Sequence, residues 1–369
     1  MEILVTGSRG FIGRNLTARL RQRGYAGIME YDIDTSPQLL DDYARKCSFV
    51  FHLAGVNRPR DPAEYMIGNA GFTQILLESL MRNKNRVPVL VASSVQAVLD
   101  NPYGKSKKAE EDLVFAYANQ ARVSAYVYRL PNVFGKWCKP NYNSVVATFC
   151  HNIARGLPIR VNDPETVINL LYIDDVVTKF IHALEGYATC AGGFCTAEPV
   201  HTVKLREITA LLESFRESRK NLHIPNQLDA FAKKLYSTYL SYIPENELSY
   251  PIKMHVDGRG VFAEFMRTND RGQVSVNISK PGVIKGAHWH NTKNEKFLVV
   301  SGEGIICLRT ADGGEVIEYH VNGGELRVVD IPPGYEHSIK NTGNDNLVTV
   351  IWASECYDPQ KTDTYALEV

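Results

Sequence analysis

A glycine-rich turn near the N-terminus constrains the fold of this chain more than any other sequence feature. Glu2–Thr6 has the apolar character of a buried strand, and a helical pattern runs from the turn to Arg23. The turn consists of Gly7, Ser8, Arg9, Gly10, Phe11, Ile12 and Gly13. Glycines at this spacing permit a tight turn and close approach of the backbone to a pyrophosphate, which lies at the helix N-terminus. The sequence therefore predicts a dinucleotide site.

Further strand-like segments alternate with helical ones, which predicts a doubly wound, parallel α/β sheet of the Rossmann type. The strand-like segments are Ala26–Tyr31, Phe49–Gly55, Val87–Ala92 and Ser124–Arg129. Small residues at the end of the third strand, beside Leu53 and Ala54, would let a cofactor lie across the strand ends. His52 fits a packed strand residue better than a catalyst.

Two charges make opposite predictions about the cofactor. Asp32, at the end of the second strand, is suited to hold the adenosine ribose hydroxyls of NAD. Arg9, inside the glycine turn, could instead pair with the 2′-phosphate of NADP. Asp34 leaves the register open, and either charge could be plain surface. We expect NADPH to be preferred.

Tyr103 and Lys107 are the candidate catalytic pair. Residues four apart on a helix share one face, and an ammonium beside a phenol lowers the pKa of the phenol. Such a tyrosine can protonate the alkoxide that forms when a hydride adds to a carbonyl. Ser93 and Ser94 end the fourth strand, and we favour Ser94 as the donor to the substrate carbonyl. The alternative is a surface helix with an ordinary tyrosine and lysine.

Together these segments resemble the extended short-chain dehydrogenase/reductase family over residues 1 to about 243. The matching pieces are the glycine turn, His52–Gly55, Ser94, Tyr103 with Lys107, Arg129–Gly135 and Tyr172–Val176. The resemblance implies action on nucleotide-activated sugars, bound by the segment after Phe134. In that segment Asn143, Arg155 and Arg160 are candidate contacts, and the two arginines could hold a diphosphate or be plain surface.

One difference from a subfamily of these enzymes reduces the number of possible reactions. Sugar-nucleotide 4,6-dehydratases carry an Asp-Glu pair directly after the active-site serine or threonine, whereas Val95 and Gln96 follow Ser94 here. Neither side chain can remove a C5 proton, so dehydration is disfavoured. Reduction and 4-epimerisation remain.

The chain changes character after about Ser241. Residues 244–251 contain two prolines and no helical period, which predicts a linker between domains 1–243 and 252–369. Short strand-like runs follow, separated by Asp312-Gly313-Gly314 and Asn322-Gly323-Gly324, as in an antiparallel sandwich or barrel. The runs are Val274–Ile278, Lys296–Val300, Gly304–Arg309, Val316–His320, Leu326–Ile331 and Leu347–Trp352.

A candidate metal centre lies in this second part, formed by His288, His290, Glu295 and His337. Residues two apart on a strand face the same side, so the first two imidazoles would point together. Three imidazoles and one carboxylate suit zinc or another borderline divalent ion. The alternative is a polar barrel interior without metal. His255 and His320 fit no such pattern.

The spacing of these ligands resembles that of the cupin family, over roughly residues 252–369. The first cupin motif matches His288-x-His290, followed after four residues by Glu295 and after six more by Gly302. The second motif matches Pro332–His337 with Asn341. The glycine expected just before Pro332 is displaced, since Gly324 lies eight positions upstream. The resemblance implies an all-β cupin (jelly-roll) barrel.

A reductase followed by a metal cupin resembles a family of bacterial capsular polysaccharide biosynthesis enzymes. The resemblance implies that the cupin epimerises C3 of a UDP-2-acetamido-2,6-dideoxy-4-hexulose, and that the first domain reduces C4 with NADPH to give UDP-2-acetamido-2,6-dideoxy-L-talose. It also implies zinc and a homodimer. The chemistry is consistent, because the C4 ketone acidifies the C3 proton and is also the hydride acceptor. The epimerase base stays open among Tyr335, Glu336, Lys296 and His320.

Two other functions stay open: a reductase whose cupin is a catalytically silent, zinc-stabilised module for binding or dimerisation, and an NAD-retaining 4-epimerase with a regulatory cupin. Equal counts of 41 basic and 41 acidic residues argue against bulk electrostatic binding of nucleic acid or a membrane surface. No apolar run approaches the ~20 residues of a membrane span. Seven cysteines without a CxxC motif, and no signal peptide before the first strand, predict reduced thiols in a cytoplasmic protein.

Overall fold

The computed structural model describes residues 1–311, 313–360 and 362–366, so Asp312 of the first predicted turn cluster lies outside the described residues. The chain divides into two compact units. One comprises Met1–Glu213 and Gln227–Pro244, and the other comprises Ser214–Asn226 and Glu245–Val369. The domain limits expected from the sequence stay a prediction. Within the described part of the chain, no helix is long and apolar enough to cross a bilayer.

Ten strands belong to the first unit among the described residues. They are β1 (Glu2–Thr6), β2 (Gly27–Tyr31), β3 (Phe49–His52), β4 (Val89–Ser94), β5 (Ala125–Leu130), β6 (Asn132–Phe134), β7 (Val167–Tyr172), β8 (Cys190–Ala191), β9 (Phe194–Cys195) and β10 (Val200–Lys204). The main sheet has the order β2-β1-β3-β4-β5-β9-β8, and its pairs are parallel except for β8 with β9. The predicted Rossmann-type sheet is confirmed. The five predicted strands correspond to β1–β5, with limits that agree for β1 and differ by one to three residues for the others, whereas β6–β10 were not predicted.

The helices of this part of the chain lie between or after these strands in the sequence. They are α1 (Phe11–Gln22), α2 (Pro37–Lys46), α3 (Ala63–Met66), α4 (Phe72–Arg82), α5 (Pro102–Ala121), α6 (Val145–Ala154), α7 (Ile173–Leu184), α8 (Leu205–Asn221) and α9 (Ala230–Leu240). The alternation of side chains along β1 explains the two-sided core, since Ile3 and Val5 pack with α1 and α7 on one face. Leu4 packs with α2 and α4 on the other face. A smaller sheet, β10-β7-β6, continues from β5.

The cysteine prediction is wrong at one pair. Cys190 and Cys195 form a disulfide, because the hairpin of β8 and β9 places them directly opposite each other with their Cα atoms 3.9 Å apart. A search for CxxC spacing misses such a pair, since antiparallel pairing rather than sequence distance brings the sulfur atoms together. The remaining cysteines are free thiols.

The second unit carries eleven strands among the described residues. They are β11 (His255–Asp257), β12 (Gly260–Arg267), β13 (Gln273–Ser279), β14 (Ile284–Trp289), β15 (Glu295–Ser301), β16 (Glu303–Thr310), β17 (Ile317–Asn322), β18 (Val328–Ile331), β19 (Tyr335–Asn341), β20 (Leu347–Ala353) and β21 (Tyr365–Ala366). They form a six-stranded sheet, β11-β12-β13-β20-β15-β18, and a five-stranded sheet, β17-β16-β19-β14-β21. All their pairs are antiparallel, and the predicted all-β cupin fold is confirmed.

Candidate active site and metal centre

A cleft of about 540 Å³ opens at the carboxyl ends of the parallel strands in the first unit. The structure brings most of the residues predicted for the cofactor and the chemistry to its walls. These are Gly7, Arg9, Gly10, Phe11, Ile12, Gly13, Leu53, Ala54, Ser94, Tyr103 and Lys107. Asp32 is not among the lining residues.

The glycine turn fits a bound dinucleotide. Gly7 has a φ of 65°, and a Cβ atom there would lie 2.6 Å from the backbone nitrogen of Ala54, so a side chain would disrupt the approach of the two strand ends. Gly10 precedes α1 without a side-chain cap, which leaves amides of the first helical turn available to an anion. The turn therefore has the shape and the free donors that a pyrophosphate requires.

Asp32 and Arg9, which favour NAD and NADP respectively, lie next to each other in the structure. Asp32 accepts hydrogen bonds from the backbone N–H groups of Arg9, at 2.8 Å, and Ile33, at 2.9 Å. The guanidinium of Arg9 is more than half exposed, forms an ion pair with Asp34 and lies 3.8 Å from Asp32. Asp32 thus orders the glycine turn, while Arg9 is free to exchange an exposed partner for a phosphate.

Tyr103 lies in the first turn of α5, where local packing fixes its position. The side chain of Asn101 caps the helix by accepting from the N–H of Gly104 at 2.7 Å. A Cβ atom on Gly104 would lie 2.4 Å from the carbonyl oxygen of Gln96, so glycine is required for the helix to begin against the turn after Ser94. The phenol ring also packs on Tyr65, with centroids 5.5 Å apart.

Burial outweighs the expected effect of Lys107 on the pKa of the Tyr103 phenol. Burial is the largest influence and raises the pKa of the Tyr103 phenol, whereas the charge of Lys107 and a hydrogen bond with Ser94 act to lower it. The prediction is right in the sign of the lysine's effect and wrong about the net direction. The phenol is therefore held protonated near neutral pH, ready to donate.

Ser93 and Ser94 have different partners. Ser93 donates to the buried carboxylate of Glu111 at 2.6 Å, and Arg129 binds the same carboxylate through two hydrogen bonds of 2.9 and 2.6 Å. This contact ties α5 to β4 and β5. Both serines line the cleft, and Ser94 forms a side-chain hydrogen bond with Tyr103. This contact distinguishes Ser94 as the better candidate donor to a substrate carbonyl.

The substrate side of the cleft differs from the prediction. Asn143 lines it, together with Lys139 from the same loop. Arg155 instead donates to the carbonyl oxygens of His151 and Tyr242, at 3.3 and 2.9 Å. Arg155 and Arg160 are not among the lining residues, whereas Lys139, which the sequence analysis did not name, is.

The candidate metal ligands come together inside the second unit. His288 on β14 pairs directly opposite His337 on β19, in the five-stranded sheet. Glu295 begins β15 in the other sheet, and its Oε2 lies 3.2 Å from His337 Nε2 and 3.7 Å from His290 Nε2. One ligand atom from each of the four residues lies within 4.8 Å of the others. His290 comes one residue after the end of β14, and its ring centroid lies 5.0 Å from that of His288, so the two imidazoles point to the same side.

The chemistry of this cluster fits a divalent metal. His290 Nε2 and both ring nitrogens of His337 are buried and make no hydrogen bond with any described residue. Burial, then the neighbouring His337 and His290, lower the pKa of His288 to about 4, so its imidazole is neutral. Burial acts to raise the pKa of Glu295, but the two adjacent imidazoles outweigh it and the carboxyl stays ionised. Neutral imidazoles and a carboxylate are the forms that bind zinc.

The comparisons with known proteins agree with both units. A model of the NAD dependent epimerase/dehydratase family matches residues 3–193. The chain belongs to this family. Residues 255–365 match the polysaccharide biosynthesis C-terminal domain. Residues outside these two matched ranges are also similar to known proteins, because some relatives match the whole chain.

Several relatives match this chain over its whole length. The UDP-2-acetamido-2,6-beta-L-arabino-hexul-4-ose reductase of Pseudomonas aeruginosa is 43% identical over 369 residues, which are 100% of this chain and 99% of that protein. The crystal structure of the capsular polysaccharide assembling protein CapF from Staphylococcus aureus is 48% identical, with a TM-score of 0.94 and full coverage of both chains. The resemblance to capsular polysaccharide enzymes expected from the sequence is therefore confirmed.

The sequence analysis missed a buried acid next to Lys107, the lysine of the candidate catalytic pair. Lys107 forms an ion pair with Glu110, whose side chain is fully buried. The other oxygen of that carboxylate lies 3.3 Å from the Thr73 hydroxyl and 3.5 Å from His52 Nε2. Burial is the main cause that raises the pKa of Glu110, opposed by Lys107. The i,i+3 spacing is visible in the sequence, but the burial depends on α4 and β3.

The open candidates for an epimerase base are also placed. Glu336 forms an ion pair with Arg309 at 2.6 Å, and Lys296 forms one with Asp330. The side chain of His320 is 76% exposed. Tyr335 is half-buried and packs against the hydrophobic cluster of the barrel. None of these contacts assigns the base.

Proposed function

We propose that this chain is a bifunctional nucleotide-sugar enzyme of capsular polysaccharide precursor synthesis. In this proposal the cupin epimerises C3 of a UDP-2-acetamido-2,6-dideoxy-4-hexulose, and the first unit reduces C4 with NADPH to UDP-2-acetamido-2,6-dideoxy-L-talose. The observation that carries it is the presence of two donor sets in one chain: Tyr103, Lys107 and Ser94 in the cleft, and three imidazoles with one carboxylate in the barrel. Both sets suit chemistry at one C4 ketone. A reductase at 43% identity over the whole chain supports it.

The residues of the cleft would divide the reduction between them. Bound NADPH would supply the hydride that adds to C4 of the ketone. Ser94 would donate a hydrogen bond to O4, and Tyr103 would donate the proton that O4 takes up. Lys107 would place a positive charge beside the phenol and stabilise the phenolate left behind. Glu110 would hold that ammonium from below, since the two already form a buried ion pair.

The residues of the barrel would prepare the ketone for that step. Bound zinc would supply a Lewis acid near O4, which makes the adjacent C3 proton easier to remove. His288, His290, Glu295 and His337 would hold the ion from both sheets. The base that moves the C3 proton stays unassigned. A homodimer, implied by the family resemblance, and a cytoplasmic location, expected from the cysteines and the absence of a signal peptide, stay predictions.

The reductase part is tested by the stoichiometry of NADPH oxidation. One NADPH should be consumed for each molecule of C4-reduced product. Conversion of a C4 epimer without net oxidation of nicotinamide would contradict the reductase and favour the 4-epimerase.

Arg9→Ala is expected to raise the KM for NADPH about tenfold while changing the KM for NADH little, because the guanidinium would lose its pairing with the 2′-phosphate. Initial-rate kinetics with both cofactors measure this. Arg45→Ala is the matched control, since Arg45 is also an exposed arginine paired with an aspartate. Equal effects of the Arg9 change on both cofactors would mean that Arg9 does not contact a 2′-phosphate.

Lys139→Ala is expected to raise the KM for the UDP-sugar about tenfold, or ~1.4 kcal/mol, with a smaller change in kcat. Lys139 lines the substrate side of the cleft and would pair with the diphosphate. Arg160→Ala removes an exposed cation outside the lining and should leave the KM unchanged. If the two variants behave alike, the diphosphate lies elsewhere.

A further inference from the structure

The C-terminal segment of the second unit binds the loop that joins two candidate metal ligands. Residues 291–294 connect His290 to Glu295. The carboxylate of Asp363, about seventy residues later, accepts from the backbone N–H groups of Asn291 at 2.9 Å, Thr292 at 2.8 Å and Lys293 at 2.9 Å. The hydroxyl of Thr292 donates to it as well, at 2.9 Å. One carboxylate thus satisfies three successive amides of the loop, and it fixes the loop's conformation.

The same residue also orients a ligand directly. His290 Nδ1 lies in hydrogen-bond contact with the backbone carbonyl oxygen of Asp363. A carbonyl oxygen can only accept, so Nδ1 carries the proton and donates. The lone pair of the imidazole is then on Nε2, which is buried at the centre of the cluster without a hydrogen-bond partner among the described residues. Metal-binding histidines are commonly held in this way through the nitrogen that does not bind the ion.

A short strand extends the contact to another ligand. β21 pairs with β14, with Ala366 opposite His288 and Tyr365 opposite Trp289. The rings of Tyr365 and Trp289 lie with their centroids 5.0 Å apart. The segment from Asp363 to Ala366 therefore contacts both histidines of the His-x-His pair. Asp363 contacts the ring of His290, and Ala366 lies opposite His288 in the sheet.

We propose that Asp363 is a positioning residue of the metal centre, which holds the 291–293 loop and the ring of His290 in the geometry that binds the ion. This inference rests on the proposed metal site. The hydrogen bonds of the carboxylate go to residues 291–293 and not to one of the four ligands, so its effect passes through this loop, while the carbonyl oxygen contacts His290. Asp363 determines how tightly the site binds zinc, whereas the ligands determine whether it binds.

The test is zinc affinity of the full chain, measured by competition with a chelator in Asp363→Ala and wild type. We expect affinity to fall about 10- to 100-fold, the usual effect of removing an outer-shell partner. The rise of the thermal midpoint on adding zinc, measured from the zinc-free midpoint of each protein, should be smaller in the variant than in wild type. Asp363→Asn keeps the size but only one acceptor oxygen, and its affinity should fall between the two.

Asp358→Ala is the matched control, because Asp358 is an exposed aspartate of the same segment whose carboxylate accepts from the nearby backbone N–H of Gln360. It should bind zinc like wild type. Affinity of Asp363→Ala within twofold of wild type would overturn the positioning role alone. A lower midpoint of the zinc-free variant with unchanged affinity would make Asp363 purely structural and also overturn it. Wild-type protein that binds no zinc would overturn the metal centre itself.

Discussion

Tyr103→Phe is expected to reduce NADPH oxidation about 10²-fold or more, because it removes the proton donor for O4 and leaves the rest of the cleft in place. The phenylalanine ring keeps the packing against Tyr65 and the start of α5, so the fold and cofactor binding should persist. The measurement is single-turnover oxidation of NADPH with a 4-keto UDP-sugar. Exchange of the C3 proton with solvent should continue, since the residues of the barrel are unchanged.

The control for this variant is Tyr65→Phe. Tyr65 lies beside Tyr103, but its hydroxyl donates to the backbone carbonyl of Asn57 at 3.0 Å. Removing it takes away a nearby phenol oxygen without removing the proposed donor. Near-normal NADPH turnover in Tyr103→Phe, or an equal loss of turnover in both variants, would show that Tyr103 is not the proton donor.

His290→Ala is expected to abolish zinc binding in practice, with an affinity loss beyond the ~100-fold of an outer-shell change, because three donors leave the ion undercoordinated. Exchange at C3 should stop with it. The first unit should still bind NADPH, because none of the residues that line its cleft belongs to the barrel. Reduction should be slow or give the other C3 configuration, since the cleft would be shaped for the epimerised ketone. Zinc content, C3 exchange and product stereochemistry should be measured on one preparation.

One control and two contrary outcomes distinguish the possible functions of the barrel. His255→Ala changes an exposed histidine outside the cluster and should alter none of the three measurements. Loss of zinc in His290→Ala with unchanged C3 exchange would make the metal structural and the cupin catalytically silent. Unchanged zinc content would show that the ligand set is wrong.

The first unit could be predicted from its sequence because its determinants are local. The glycine turn and the Tyr103–Lys107 spacing each occupy a few successive residues, and parallel strands buried on both faces carry continuous apolar runs. The structure places these motifs around one cleft, as the carboxyl ends of neighbouring strands require. What the sequence could not give is the net effect of burial on the phenol pKa, or the buried Glu110, because both depend on contacts between distant segments.

The barrel was harder to predict in detail. The valines of β13 predict a strand, but the structure buries Ser275 and Asn277 and leaves Val274 and Val276 only half-buried, so the alternating pattern does not tell which face is inside. β14 contains a register shift between Gly286 and His288, and Ala287 has a φ of 63°, which together remove the regular alternation that identifies strands. The predicted strand-like runs also left out β11, β12, β19 and β21.

Two further differences depend on strand or loop pairing. Asp363 binds a loop some seventy residues earlier, and this contact has no local sequence signal. The Cys190–Cys195 disulfide joins residues five apart, but it depends on the register of a hairpin, which a search for CxxC spacing does not test. The ligand set itself could be proposed because a motif spacing carries it, although His290 reaches the cluster from beyond the end of its strand.

The most direct test of the account is NMR of the product formed from a UDP-4-keto-6-deoxy-N-acetylhexosamine with NADPH in D2O. The account predicts a single product with deuterium at C3, hydrogen delivered from NADPH at C4, and one NADPH oxidised for each molecule formed. A C4-reduced product that keeps protium at C3 and the C3 configuration of the substrate would contradict the bifunctional enzyme.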